Sequence, residues 1–199
     1  MKDFHIITCS ILQRETEKIL KDDECFSGIG LSAIDSMLHL HPEKLHQEMK
    51  KYISELSGKN IVLVYGDCHP FIKDIEKNFR CRKLKGHNCV ELILGEEPYK
   101  NYMKNEPLFL LPEWLPRWRE IFQNEFGFKS TSCARAFMHD FRKILLYIDT
   151  GLIPIPKTDI HDISVFLETP VQIISAPLIS LKQNIINALK EERSPPDDS

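Results

Sequence analysis

Several recurring signatures are missing from this 199-residue chain, and each absence removes a class of function. No Gly-x-Gly-x-x-Gly follows the first apolar run, so dinucleotide binding loses its main support. No Gly-x-x-x-x-Gly-Lys-Ser/Thr loop and no Gly-x-Ser-x-Gly elbow occur, which argues against a P-loop nucleotidase or a serine hydrolase. Phosphate binding has no motif behind it. No Cys-x-x-Cys pair is present either, so nothing local resembles a zinc ribbon or a ferredoxin loop. The net charge is −3, and no segment clusters Lys or Arg with aromatics, so no nucleic-acid partner is expected. No apolar run approaches the ~18 residues of a membrane helix. The amino terminus, Met1-Lys2-Asp3-Phe4-His5, lacks a long apolar core behind a basic start. A cytoplasmic protein without a membrane partner is the expectation.

What the chain does contain is six cysteines. In a cytosolic protein they are not expected to form a disulfide framework, which leaves packing, metal binding or redox chemistry to explain them. Apolar strand-like runs alternate with segments of helical spacing. Strands are predicted at Phe4 to Thr8, Ile61 to Tyr65, Phe79 to Leu84, Pro107 to Leu111, Ile144 to Ile148 and Val171 to Ser175. Helices are predicted at Ile11 to Leu20, Leu31 to Leu40, Pro42 to about Leu56 and Pro70 to Asn78. Further ones follow from Cys89 toward Met103, from Pro112 through Trp114, Leu115, Trp118, Ile121 and Phe122, and at Ala134 to Phe141, Asp159 to Leu167 and Pro177 to Lys190. Residues 21–30 read as a loop, and Arg14 and Glu15 as solvated charges, with Glu15 pointing back toward the strand tips as the less favoured alternative. This alternation predicts an α/β fold: one Rossmann-like domain over 1–192 with a mostly parallel sheet and helices on both faces, followed by a disordered tail at 193–199.

In open parallel sheets, ligands collect where loops and helix starts converge beyond the strand carboxyl ends. Ile61-Val62-Leu63-Val64-Tyr65 stops at Gly66-Asp67-Cys68, which places Cys68 on that edge, and Cys9 follows the first strand in the same way. Asn88 reads as an N-cap with Cys89 in the first helical turn, where unpaired N–H groups and the helix dipole are expected to favour thiolate. The expected rim then carries Cys9, Cys68, Cys89, Asp67, His69, His87, Asn88 and Asp149. A thiolate cluster suits zinc or an iron–sulfur centre, with Cys81 or a histidine as a possible fourth ligand. Asp149 is equally well an N-cap or a ligand-orienting carboxylate. His39, His41 and His46 lie close in sequence, but His41 precedes Pro42 and the three need not face one point, so a structural role is favoured over a metal site. Cys25 and Cys133 are read as structural or incidental, and the aromatic spacing from Trp114 to Phe122 as core.

Thr8-Cys9 with Arg14-Glu15, His41-Pro42 with Leu45-His46, and Tyr65-Gly66-Asp67-Cys68-His69-Pro70 form the first part of a pattern that continues in Asn88-Cys89 with Leu92 to Gly95 and in Leu111-Pro112-Glu113-Trp114. Over nearly its whole length the chain resembles a prokaryotic family catalogued only as a domain of unknown function. Members often lie beside corrinoid-dependent methyltransferases, so the resemblance implies methylotrophic or one-carbon metabolism and a corrinoid methyltransferase system as partner. It supplies no catalytic residues.

The leading expectation is a thiolate metal site of Cys9, Cys68 and Cys89 that handles a methyl- or sulfur-containing substrate, with Asp67 and His87 as orienting or proton-transfer groups. One alternative is a metal-free module that binds or carries a small metabolite at the same rim. The other is a thiol enzyme with Cys89 as nucleophile, for which His69 is a better base than His87, because residues two apart at a helix start do not face each other.

Overall fold

A computed structural model describes residues 3–79, 81–128 and 130–191. It is an α/β protein built from parallel strands flanked by helices. The strands divide between two compact units. One holds the chain up to Ile93 together with residues from Leu178 onward, and the other is Leu94–Pro177.

In the first unit β1 (Phe4–Cys9), β2 (Gly30–Ile34), β3 (Asn60–Val64) and β4 (Cys81–Lys83) form a sheet in the order β2-β1-β3-β4, every pair parallel. The two inner strands are apolar on both faces: Ile6, Ile7, Leu63 and Val64 are wholly buried, as interior parallel strands require. A short 3-10 turn (Ser10–Leu12) and α1 (Gln13–Asp22) lead from β1 to β2. Helix α2 (Pro42–Glu55), started by Pro42, leads from β2 to β3, and α3 (Ile72–Asn78) leads from β3 to β4. Helix α4 (Cys89–Leu94) follows β4, and a closing helix, Ile179–Lys190, packs on β3 and α1.

The second unit carries β5 (Pro107–Leu110), β6 (Ile144–Asp149) and β7 (Val171–Ser175), parallel and in that order. The central strand is again fully buried at Leu145, Tyr147 and Ile148. Its helices are α5 (Glu96–Met103), an irregular segment from Leu115 to Glu125, α6 (Thr131–Phe141) and α7 (Lys157–Leu167). Gly95, at φ 86°, supplies the left-handed break between α4 and α5.

Four expectations change. The single sheet over 1–192 is two sheets, because β4 and β5 do not pair. The helix expected at Leu31 to Leu40 is instead β2 followed by a 3-10 turn (Ser36–Leu40). Five short residues cannot show a clear period, and pairing with β1 decides their state. There Gly30 lies under the His5 ring, where a Cβ would sit 2.4 Å from Nδ1, and His5 Nε2 pairs with Ser32 Oγ at 2.9 Å. Glu15 is buried rather than solvated. The helix after Pro112 is a 3-10 turn, a single α turn and a π segment in succession, around a core of Trp118 packed on Phe122 and Phe166. The expected disordered tail at 193–199 lies outside the described residues.

Candidate thiol site

The order β2-β1-β3-β4 makes the chain leave β1 toward β2 and leave β3 toward β4, in opposite directions across the sheet. A crevice opens beyond the carboxyl ends of two such neighbouring strands, because neither connection covers the gap between them. Cys9 is the last residue of β1, and Cys68 stands four residues beyond the end of β3. Cys89 begins α4, on the segment that returns after β4.

The loops after β3 and β4 are held against each other by backbone. The Asp67 N–H donates to the His87 carbonyl at 2.7 Å. Gly66 approaches so closely that a Cβ there would lie 2.4 Å from Asn88 Cα and 2.5 Å from Asn88 N. Lys83 ties the same two loops: its Nζ donates to the Leu84 carbonyl at 2.8 Å and to the Gly86 carbonyl at 3.2 Å, and it lies 3.2 Å from Asp67 Oδ1. Asn88 caps α4 as expected, accepting from the Glu91 N–H at 3.0 Å. Glu91 reaches back to accept from the His87 N–H at 2.9 Å, a capping-box arrangement displaced by one residue.

These constraints bring the three thiols together. Cys89 shares its proton with both Cys68 and Cys9, and those hydrogen bonds, with burial, push its thiol well above the ordinary cysteine range. Cys68 is on the receiving side. The hydrogen bond from Cys89, joined by the N–H groups of Cys68 itself and of Gly66, lowers its thiol to about 7 despite partial desolvation and the nearby Asp67 charge. The site runs from buried Cys9 through half-buried Cys89 to exposed Cys68, which gives it a solvent-facing side. Thiolate is therefore favoured at Cys68 and not, as the helix-start position suggests, at Cys89. A helix start lowers a thiol only if its field exceeds the effect of the bonds the thiol itself donates, and here two acceptor sulfurs hold the proton.

The other expected site residues separate. Asp67 belongs to the loop clamp. The His87 ring is largely exposed and its Nδ1 pairs with Glu91 Oε2 at 2.8 Å. His69 is buried with His46 and Phe71, its ring centroid 5.8 Å from that of His46 and 5.7 Å from that of Phe71. Burial and the neighbouring His46 lower its imidazole to about 4. Cys81 pairs in register with Ile61, near the start of β3, and its thiol donates to the Ile75 carbonyl at 3.3 Å, so it does not join the carboxyl-edge cluster. Asp149 ends β6 of the other sheet and its Oδ1 accepts from the Gly151 N–H at 2.9 Å. The shared sheet edge that grouped it with the thiols does not exist. His39 is bonded to the Ser36 carbonyl, and His41 is exposed, so His39, His41 and His46 form no common set. Cys25 and Cys133 are exposed, outside the cluster.

Gly66 and Lys83 join the two loops that carry Cys68 and Cys89. Gly66 is legible in the Tyr-Gly-Asp-Cys turn, whereas no local pattern marks a lysine whose reach spans two loops. Among the described residues, no group of three or more His, Cys, Asp or Glu side chains stands ready as a metal cage, nor is any helix long and apolar enough to cross a membrane. What the thiol arrangement can do chemically is accept a soft cation in exchange for protons, or present Cys68 as a nucleophile.

No curated protein and no solved structure matches the chain. A family model described as "Protein of unknown function (DUF1638)" matches residues 33–185, which takes in the end of β2, all of β3 to β7 and both Cys68 and Cys89. That match extends over well more than half of the sequence, and the chain belongs to this family.

Proposed function

We propose that Cys9, Cys68 and Cys89 hold a soft or borderline metal, zinc or an iron–sulfur centre, and that the protein serves one-carbon metabolism alongside a corrinoid-dependent methyltransferase system. The observation that supports the metal assignment is that thiols from three separate segments come near enough at the switch point of a parallel sheet for Cys89 to interact with both Cys68 and Cys9. Thiolate donors suit these metals chemically, although the three side chains as they stand do not form a ready cage and would have to close on the ion. The N–H groups of Gly66 and Cys68 already face one sulfur, as N–H groups commonly do around metal thiolates. Three protein ligands leave one position open for a substrate.

When bound, zinc would supply Lewis acidity, and an iron–sulfur centre electron transfer or substrate ligation. The chain's own residues have distinct tasks. Cys68 faces the solvent and admits the exchangeable group, while buried Cys9 anchors the opposite side. Lys83 and Asp67 hold the loops that carry Cys68 and Cys89 in register. The corrinoid connection rests on the family resemblance alone. Elemental analysis and an absorption spectrum of protein purified without oxygen test the proposal. A stoichiometric metal that is lost on replacing Cys9, Cys68 and Cys89 together by Ala supports it, and one that survives the replacement removes it.

One observation favours a second reading. Cys68 is exposed and ionises near neutrality, so a metal-free thiol enzyme in this family would use Cys68 rather than Cys89 as nucleophile. Metal-free protein whose turnover stops on alkylation of Cys68 alone would select it.

A further inference from the structure

The two edges of the first sheet are built differently. At one, β4 is only three residues long and carries Arg82 and Lys83, the first donating to the Ala188 carbonyl at 2.7 Å and the second paired with Asp67. Shortness and cationic side chains are devices that keep a sheet edge from pairing with another chain. The β2 edge has none of them. Gly30-Leu31-Ser32-Ala33-Ile34 holds no charge and no proline, is as long as the interior strand β3, and pairs with β1 through five consecutive positions without a bulge. Among the described residues, no hydrogen bond from another backbone segment reaches its outer side.

Open space flanks that edge on both faces. Leu31 and Ile34 point to opposite faces because they are an odd number of residues apart in a strand. Ala33 and Ile34 line a cavity of about 390 Å³ with α2, and Leu31 and Ala33 line one of about 450 Å³ with α1. An added strand sends alternate side chains to the two faces, and these cavities receive them. The charges around the cavities identify that strand. Lys44 and Glu48 stand four positions apart on the α2 side, and Glu17 and Lys21 stand at the same spacing on the α1 side. A two-fold axis perpendicular to the sheet runs two β2 strands antiparallel and sets each of these helices antiparallel to its own copy. The lysine of one copy then meets the glutamate of the other, twice on each face. A partner carrying charge of one sign would match half of this pattern, whereas a second copy of the chain matches all of it. We propose that the protein is a dimer in which β2 pairs with β2, joining the four-stranded sheets of two copies into one. The carboxyl ends of the two sets of strands then point in opposite directions, so the thiol groups of the two copies stand apart and neither needs a residue from its partner.

Sedimentation equilibrium of the full-length protein tests this. The wild type is expected to be dimeric at about 50 μM, above the roughly micromolar dissociation constant of a specific interface. Lys44→Glu turns both attractions on the α2 face into repulsions and should weaken the dimer about tenfold. Adding Glu48→Lys to it should restore the wild-type constant, because the reversed pair is again complementary to itself. Ala33→Lys places a charge on the edge strand and is expected to give monomer. Amide hydrogen exchange needs no variant: the backbone of Leu31 to Ile34 should exchange more slowly in the wild-type dimer than after dilution to monomer. A wild type that is monomeric at the stated concentration overturns the proposal and assigns the edge to a strand of another protein. A dimer left intact by Ala33→Lys, or one whose β2 amides exchange alike in dimer and monomer, overturns it in favour of another surface. A double variant as weakly associated as Lys44→Glu alone overturns the antiparallel two-fold pairing.

Discussion

Replacing Gly66 by Ala tests whether the site depends on the contact between two loops. The new Cβ would sit 2.4 Å from Asn88 Cα, 2.5 Å from Asn88 N and 2.6 Å from the His87 carbonyl oxygen. All three atoms are backbone, so no side chain can rotate away. Ordinary van der Waals contact begins at 3.4 Å, which means the two loops must part by about 1.0 Å at this point. Overpacking of this kind costs about 1–3 kcal/mol. The same movement stretches the 2.7 Å hydrogen bond from the Asp67 N–H to His87, worth about 0.5–1.5 kcal/mol. A loss of about 2–4 kcal/mol in unfolding free energy is expected from urea denaturation. The chemical consequence is separate and more telling: Cys68 moves away from Cys89 and regains a thiol pKa close to the free value of about 8.5. The pH dependence of iodoacetamide labelling at Cys68 in chelator-treated protein, read by mass spectrometry, reports that change. Gly58→Ala is the control, since a Cβ there meets nothing within 4 Å and only the positive φ is strained. A Gly66→Ala protein within about 0.5 kcal/mol of wild type, with labelling of Cys68 unaltered, would refute the loop-contact reasoning.

In metal-free wild-type protein, iodoacetamide is expected to modify Cys68 with a midpoint near pH 7 and ahead of Cys25, which is also exposed but whose thiol is raised by its hydrogen bond to Asp23. Cys89→Ala removes the main stabilising donor and should shift the Cys68 midpoint upward, and an unchanged midpoint would show that Cys89 is not the cause. His69 supplies an acid-sensitive element in the same unit. Its folded imidazole is lowered to about 4 from the ordinary 6.5, so the unfolded chain takes up the proton first. Its contribution is complete above pH 6.5, declines as pH falls, and stops declining below about pH 4. The urea midpoint of His69→Phe should therefore change less than that of wild type across this interval, whereas parallel pH profiles would assign the acid sensitivity elsewhere.

Local pattern determined a good deal of this protein. The buried runs at Ile61 to Val64 and Ile144 to Ile148 read as interior strands because both faces are apolar, Pro42 marks the start of α2, and Asn88 caps α4 because its side chain meets the N–H three residues on. The same local logic brought Cys9 and Cys68 to strand ends, which is where a turn must follow an apolar run. Only the tertiary structure decided the rest. It turned Leu31 to Ile34 into an edge strand through hydrogen bonds to β1, and it separated β5 to β7 into a second sheet, the one that Asp149 ends on. Cys81 was likewise set at the opposite end of its strand pair by register. The protonation order of the thiols was least legible of all. A sulfur's pKa depends on which donors and acceptors surround it in space, and the partners of Cys89 lie 21 and 80 positions away along the chain.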